Sequence, residues 1–330
     1  MTALPAISVV VPTYRRPALL RRCLEALLAQ DVGAGLYEVI VVDDGRDAAT
    51  RAVVEEMAAA AGPALRYATA APGRRGPAVA RNAGWRAARG TIVAFTDDDT
   101  IPARRWLAAG AAALERHRDW LAAAGRVVVP RERGLHAPPT DHERMTLGLE
   151  TAEFVTANAF VRRAALERVG GFDERFRRAW REDSDLQFRL QALGPVGRAD
   201  DAIVLHPVRA ERWGICLRQQ RNVFFDALLC KKHPRLYRQR IRPVPPWDYY
   251  AIVALALAAP ALFIGGRVLP GAAALTAALA LVLRFALRRL RGADRSPAHV
   301  VEMCATSALI PFLSVYWRLR GALHFKVLFL

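Results

Sequence analysis

The feature that most constrains this chain is a repeating unit near its start. A short β-branched apolar run is followed by a helix-spaced stretch, and Asp clusters stand directly after two of the runs. Ile7-Ser-Val-Val-Val11 has the unbroken apolar character of a buried strand. Pro17 to about Gln30 then sets Leu20, Leu24, Leu27 and Leu28 on one helical face. Tyr37–Val42 is a second strand, Ala48–Ala61 a helix and Leu65–Ala70 a third strand. Pro77 opens a helix that Gly90 ends, Thr91–Thr96 is a fourth strand, and Ala103–His117 is a helix. Alternation of this kind predicts an α/β fold: a doubly wound, mostly parallel sheet with helices on both faces. Ligands of such sheets sit beyond the carboxyl ends of the strands. Asp43-Asp44-Gly45 and Asp97-Asp98-Asp99 both fall at that edge.

Three adjacent carboxylates repel one another unless a cation or water screens them. Asp97-Asp98-Asp99 therefore suits a divalent metal, Mg²⁺ or Mn²⁺, that also meets a substrate diphosphate. An acidic surface turn is the competing reading. Asp43-Asp44-Gly45 can equally be a plain Asp/Gly turn. Glu182-Asp183-Ser184-Asp185 leads into a helix carrying Leu186, Leu190 and Leu193, where carboxylates cap amides or serve as a general base. His206 follows the apolar run Ala202–Leu205 and is a candidate third metal ligand.

Taken in order, Val11-Pro12-Thr13-Tyr14-Arg15, Val41-Val42-Asp43-Asp44-Gly45, Gly76-Pro77 through Arg81-Asn82 to Gly84, Phe95-Thr96-Asp97-Asp98-Asp99, Gly171-Phe172-Asp173-Glu174 and Glu182-Asp183 form a pattern. It resembles the family 2 glycosyltransferases over roughly residues 6–210. That resemblance implies a GT-A fold and inverting sugar transfer from a nucleotide sugar, UDP-linked in expectation. It implies that Pro12, Thr13, Tyr14, Arg15, Asp43, Asp44, Arg81, Asp97 and Asp98 contact the donor, with Asp44 on the base. It implies Asp97 and Asp99 as metal ligands, Asp183 as the base, and Glu182 orienting the acceptor or base, while His206 remains the candidate third ligand read from its place at a strand end. Asn158 matches a recurrent acceptor-side position, and Trp180 is the nearest match to a Trp before the acidic pair, offset by Arg181. Processive relatives carry Q-x-x-R-W after the base. Here Arg218-Gln219-Gln220-Arg221-Asn222 stands in that region, which implies one sugar per binding event. A nucleotidyltransferase would lead with a glycine-rich phosphate loop, where this chain has Pro12-Thr13-Tyr14.

Beyond residue 210 the composition changes. Trp213–Lys232 reads as one amphipathic interfacial helix, and Arg235–Pro246 as a basic, proline-punctuated linker. Residues 249–266 and 268–287 are two apolar stretches, the second carrying only Arg284 near its end, joined by Gly265-Gly266-Arg267. Arginines flank the pair on both sides, from Arg235 to Arg242 and from Arg288 to Arg291, which predicts a helical hairpin with both ends on the cytoplasmic face. Residues 300–317 form a third apolar stretch with Glu302 and Pro311 inside it; spanning, interfacial and re-entrant placements are all open. The expected organisation is a catalytic domain over 1–210, an interfacial segment over 211–247 and membrane helices over 248–330. The net charge of +17 calls for anionic partners. Anionic membrane lipids and a lipid-linked or membrane-proximal acceptor fit it. A non-catalytic basic scaffold would share the charge but leave the carboxylates at the strand ends unexplained, and no nucleic-acid partner is expected. No basic leader precedes Ile7–Val11, and the four cysteines form no C-x-x-C, so the catalytic part is expected in the cytoplasm with reduced thiols.

Overall fold

The computed structural model describes residues 5–59, 62–131, 133–134 and 136–330. Ala60 and Ala61, at the end of the expected second helix, lie outside them. The chain begins β1 (Ile7–Thr13), α1 (Pro17–Leu28), β2 (Tyr37–Asp43), α2 (Ala48–Ala58), β3 (Ala64–Ala68), α3 (Pro77–Ala87), β4 (Ile92–Phe95). It continues β5 (Ile101–Pro102), α4 (Trp106–Arg116), β6 (Ala122–Val128), α5 (Asp141–Leu147), β7 (Ala159–Arg162), α6 (Arg163–Val169), α7 (Glu182–Gln191) and β8 (Val196–Leu205). The remainder is helical: α8 (Ile215–Gln219), α9 (Val223–Lys232), α10 (Pro234–Leu236), α11 (Trp247–Ile264), α12 (Val268–Leu290) and α13 (Pro297–Phe325). Two compact units result, one of residues 1–130 and 147–208, the other of residues 131–146 and 209–330.

The first unit is built on one eight-stranded sheet in the order β3-β2-β1-β4-β7-β6-β8-β5. β3, β2, β1 and β4 run parallel, as the alternating pattern predicts. β7 joins antiparallel to β4 and to β6, and β5 antiparallel to β8, so the sheet is mixed. Alternate residues of each strand feed opposite faces. Val9, Val11, Val39 and Val41 pack with Leu20, Leu24 and Leu27 of α1 and with Trp106, Leu107 and Leu114 of α4. Val10, Ile40, Val42, Val93 and Phe95 pack with Ala78, Ala80 and Trp85 of α3 and with Leu186 and Leu190 of α7. Gly84 lets α3 lie close on the sheet, since a Cβ there would meet Val10 Cγ1 at 2.3 Å. β6 was not foreseen from sequence: its Ala-Ala-Ala-Gly start carries little strand propensity, and burial decides its conformation.

In the second unit α11 and α12 form the expected hairpin, with Ala259 and Ala278 buried and Gly271 lying against the Phe263 ring. α11, α12 and α13 are each long and apolar enough to cross a membrane. The helix expected over Trp213–Lys232 is instead α8, a 3₁₀ turn at Gln220–Asn222, and α9. The expected linker is partly helical, with α10 followed by a π turn at Tyr237–Ile241. Residues 131–146 belong here because Asp141 Oδ2 accepts from Arg289 Nη2 at 2.8 Å, and Arg144 donates to the Arg289 and Arg291 carbonyls.

Candidate active site

Parallel register brings three loops to one edge of the sheet. Thr13 stands opposite Asp43, and Val10 opposite Phe95, so the loops after β1, β2 and β4 leave the same edge. Backbone strain marks this region. Among the described residues, four non-glycine positions have positive φ; Arg15 (53°) and Arg46 (49°) sit in the loops after β1 and β2, and Arg181 (74°) directly precedes Glu182-Asp183. Residues held in the left-handed region cost roughly 1–3 kcal/mol each and concentrate at functional sites.

The two acidic clusters behave differently. Asp43 is fully buried: Oδ1 accepts from the Gly45 amide at 2.8 Å, and Oδ2 from the Asp47 amide at 2.7 Å and the Tyr67 hydroxyl at 2.9 Å. Its carboxylate builds the turn and is not turned toward a ligand. Asp44 faces outward and accepts from the Gly76 amide at 3.0–3.1 Å, which ties the β2 loop to the start of α3. Gly76 has φ +117°, a conformation that side chains rarely adopt.

After β4, Asp98 points inward. Its Oδ2 accepts from Thr13 Oγ1 at 2.7 Å, and Arg16 Nη1 lies 3.5 Å from Oδ1. Burial, with the Asp99 charge beside it, pushes its pKa up to about 6 against the Thr13 hydrogen bond and Arg16. Asp97 and Asp99 flank it and meet His206 from the end of β8; one ligand atom from each lies within 4.8 Å of the others. Two carboxylates and an imidazole form a donor set that fits a divalent cation such as Mn²⁺ or Mg²⁺.

Arg81 links this corner to α7. It is 3% exposed, and donates from Nη2 to Asp97 Oδ1 at 2.7 Å and from Nη1 to Glu182 Oε1 at 2.9 Å. Burial alone would lower its pKa, but Asp97 and Glu182 outweigh that and raise it, so the guanidinium stays charged. Glu182 is buried with Oε2 unpartnered, and burial, reinforced by the neighbouring Asp183 charge, raises its pKa. Asp183 accepts through Oδ1 from the Ser184 amide at 2.6 Å; burial raises its pKa, against that hydrogen bond and the charges of Arg181 and Arg81. Phe172 packs edge-on to Phe95, with ring centroids 5.2 Å apart, and lies under the Arg81 guanidinium. Asn82 binds the Phe172 amide and carbonyl. The Gly171-Phe172 and Arg81-Asn82 motifs thus form one supporting block.

Not every expected residue comes to this corner. Asn158 is fully buried; Oδ1 accepts from Trp106 Nε1 at 2.8 Å, and Nδ2 donates to the carbonyls of Arg126 and Ala202. It pins the irregular β6–β8 pairing at Gly125/Arg126, so its amide is not presented to an acceptor. Trp180 is half-buried under Arg181, whose Cζ lies 4.5 Å from a Trp180 ring centroid. Tyr14 is exposed at the rim beside Arg15. Sequence reasoning missed Arg16 and Tyr67. Neither carries a pattern signal, because Arg16 is one arginine among many and Tyr67 lies within a strand.

Residues 8–170 match the family model for glycosyl transferase family 2. Over 277 residues the chain is 31% identical to a validoxylamine A glucosyltransferase of Streptomyces hygroscopicus, covering 70% of this chain and 62% of that one. It is 32% identical over 216 residues to the pre-mycofactocin glycosyltransferase of Mycobacterium tuberculosis, covering 62% of this chain and 43% of that one. A further relative, the glycosyltransferase AglE of Haloferax volcanii, is matched over 36% of its length, so the chain spans between about a third and three-fifths of these relatives. Among solved structures, a mannosyltransferase of Pyrobaculum calidifontis in complex with GDP-mannose and Mn²⁺ shares the fold, with TM-score 0.58 and 24% identity over 96% of this chain and 88% of that one. The chain belongs to glycosyltransferase family 2, through a GT-A domain that carries its carboxylates at the carboxyl edge of the sheet.

Proposed function

We propose that this protein transfers a single sugar, with inversion, from a nucleotide sugar to an acceptor held at the membrane. The observation that carries the reading is the continuous polar path Asp99–His206–Asp97–Arg81–Glu182–Asp183 along one sheet edge. Asp97, Asp99 and His206 would hold the divalent cation, which supplies positive charge against the departing diphosphate. Asp44, Tyr14 and Arg15 face the nucleoside from the loops after β1 and β2, while Asp43 and Thr13 keep those loops in shape. Asp183 takes the acceptor proton through its oxygen away from Ser184 as the acceptor attacks the anomeric carbon from the far face. Glu182, fixed by Arg81, keeps one unpartnered oxygen toward the acceptor. One displacement inverts the anomeric centre and needs no covalent sugar–enzyme intermediate.

The sequence expectation of a UDP donor stands beside the GDP-mannose bound by the Pyrobaculum calidifontis protein, so both bases enter the test. The apolar hairpin and its arginine flanks support placement of the catalytic unit on the cytoplasmic side, next to anionic lipids and a lipid-linked acceptor. Purified protein is offered UDP- and GDP-sugars with a polyprenyl-phosphate acceptor and Mn²⁺, and the product anomer is read by NMR. Transfer with inversion, absent in Asp183→Asn, supports the reading. Retention of configuration, or full activity in Asp183→Asn, contradicts it.

A further inference from the structure

We propose that α13, apolar enough to be a third span, instead lies along the membrane surface and seats one apolar face in the lipid, so that only α11 and α12 cross. The inference rests on contacts within the helical unit and not on the proposed reaction. The partners of α13 keep it at one end of the hairpin. Arg289, in the last turn of α12, donates from Nη1 to Thr306 Oγ1 at 2.8 Å and Ser307 Oγ at 3.0 Å. Phe285, one turn earlier, packs with Ile310, Cys216 and Tyr249. Further along the hairpin α12 packs on α11, and Leu269, Leu275, Leu279 and Leu283 of α12 are all exposed.

Other partners of α13 precede the hairpin in sequence, in a segment that carries Arg218, Arg221 and Lys231. Near its start, Glu302 Oε1 accepts from the Gly214 amide at 2.7 Å. Near its end, Gly321 lies against the backbone of Phe224, the Phe224 ring meets those of Trp317 and Phe325, and Lys231 Nζ donates to the Phe325 carbonyl at 2.6 Å. Both ends of α13 therefore hold the 214–231 segment. Were α13 to span, it would draw Arg218, Arg221 and Lys231 into hydrocarbon, where each unpaired charge is strongly disfavoured.

The two faces of α13 agree with a surface position. Met303, Thr306, Ile310, Ser314, Arg318 and Gly321 are buried against the protein. Val301, Leu309, Phe312, Tyr316, Leu319 and Leu323 are exposed. At 3.6 residues per turn these six lie within an arc of about 80°, on the side away from the buried set. A continuous apolar stripe beside an exposed apolar hairpin, with Arg320 and Lys326 nearby, matches a bilayer surface in shape and charge.

The test uses full-length protein in phosphatidylcholine–phosphatidylglycerol vesicles. Cys304, the one exposed cysteine, is changed to Ser; Cys23, Cys216 and Cys230 are buried. Single cysteines at Val301→Cys, Leu309→Cys, Tyr316→Cys and Leu323→Cys carry a fluorophore, with Leu257→Cys and Leu279→Cys as hairpin references. Quenching by lipids brominated at defined depths is then read. The expected result is one shallow depth for all four α13 labels and greater depth for the hairpin labels. A graded depth, placing 301 and 323 about 33 Å apart on opposite surfaces, overturns the proposal. So does an absence of lipid quenching along α13. A label-free check is the sidedness of a C-terminal reporter: two crossings leave it on the side of the catalytic unit, three place it opposite.

Discussion

The loops after β2 and β4 begin alike, with adjacent aspartates at the carboxyl ends of two parallel strands that flank β1, and finish differently. After β2, Asp43 turns inward, and two loop amides and the Tyr67 hydroxyl occupy its oxygens. After β4 the middle residue turns inward to Thr13, which leaves Asp97 and Asp99 to converge with His206. In both loops one buried carboxylate is bound inward, to loop amides and Tyr67 at Asp43 and to Thr13 at Asp98. The β2 loop offers one outward carboxylate, suited to hydrogen-bonding a nucleoside. The β4 loop offers two, which meet the His206 imidazole from the end of β8 in a donor set that fits a divalent cation.

That division of labour can be broken by substitution. The largest effect is expected at the far end of the Arg81 bridge. Asp183→Asn should lower kcat by about 10²–10⁴-fold, as loss of a general base does, while nucleotide binding measured by calorimetry is retained. Next is the β4 corner, where Asp99→Ala should abolish metal-dependent nucleotide binding and lower kcat/KM by about 10²-fold or more, read in a Mn²⁺ titration. The β2 corner should respond in stability instead. Asp43→Asn leaves buried donors poorly matched and should cost about 1–3 kcal/mol in chemical denaturation. Asp99→Asn should be neutral or slightly stabilising in the same assay, because the Asp99 charge opposes ionisation of Asp98.

The smallest expected effect is in pH dependence. The proposed base role needs Asp183 ionised, and burial raises its pKa, so activity should fall on acidification at a pH above the ordinary carboxylate range. Glu182 and Asp183 repel as anions, so Glu182→Gln should move that acid limb to lower pH. The pH profile of kcat/KM checks the direction; a limb unmoved or shifted upward would break the assigned coupling.

The strand–helix alternation was legible because β1, β2 and β4 each contain a β-branched apolar run, Val9–Val11, Val39–Val42 and Ile92-Val93. Asp97, Asp99 and His206 were legible as a group because each follows such a run. β6 was not, since alanine carries no strand signal and the sheet imposes the conformation. Asn158 was misread because a buried amide that pins two strands looks, in sequence, like a polar residue facing a ligand. The inward turns of Asp43 and Asp98 were equally hidden, since they depend on Tyr67 and Thr13, residues distant in sequence.

The most direct test of this account is calorimetric binding of UDP and GDP to detergent-purified protein, with and without Mn²⁺, in the wild type and in Asp99→Ala. The account predicts tight binding of one nucleotide only with Mn²⁺, lost in Asp99→Ala. Binding that is equally tight without metal, or unchanged in Asp99→Ala, would contradict the claim that the β4 corner holds a cation beneath the diphosphate.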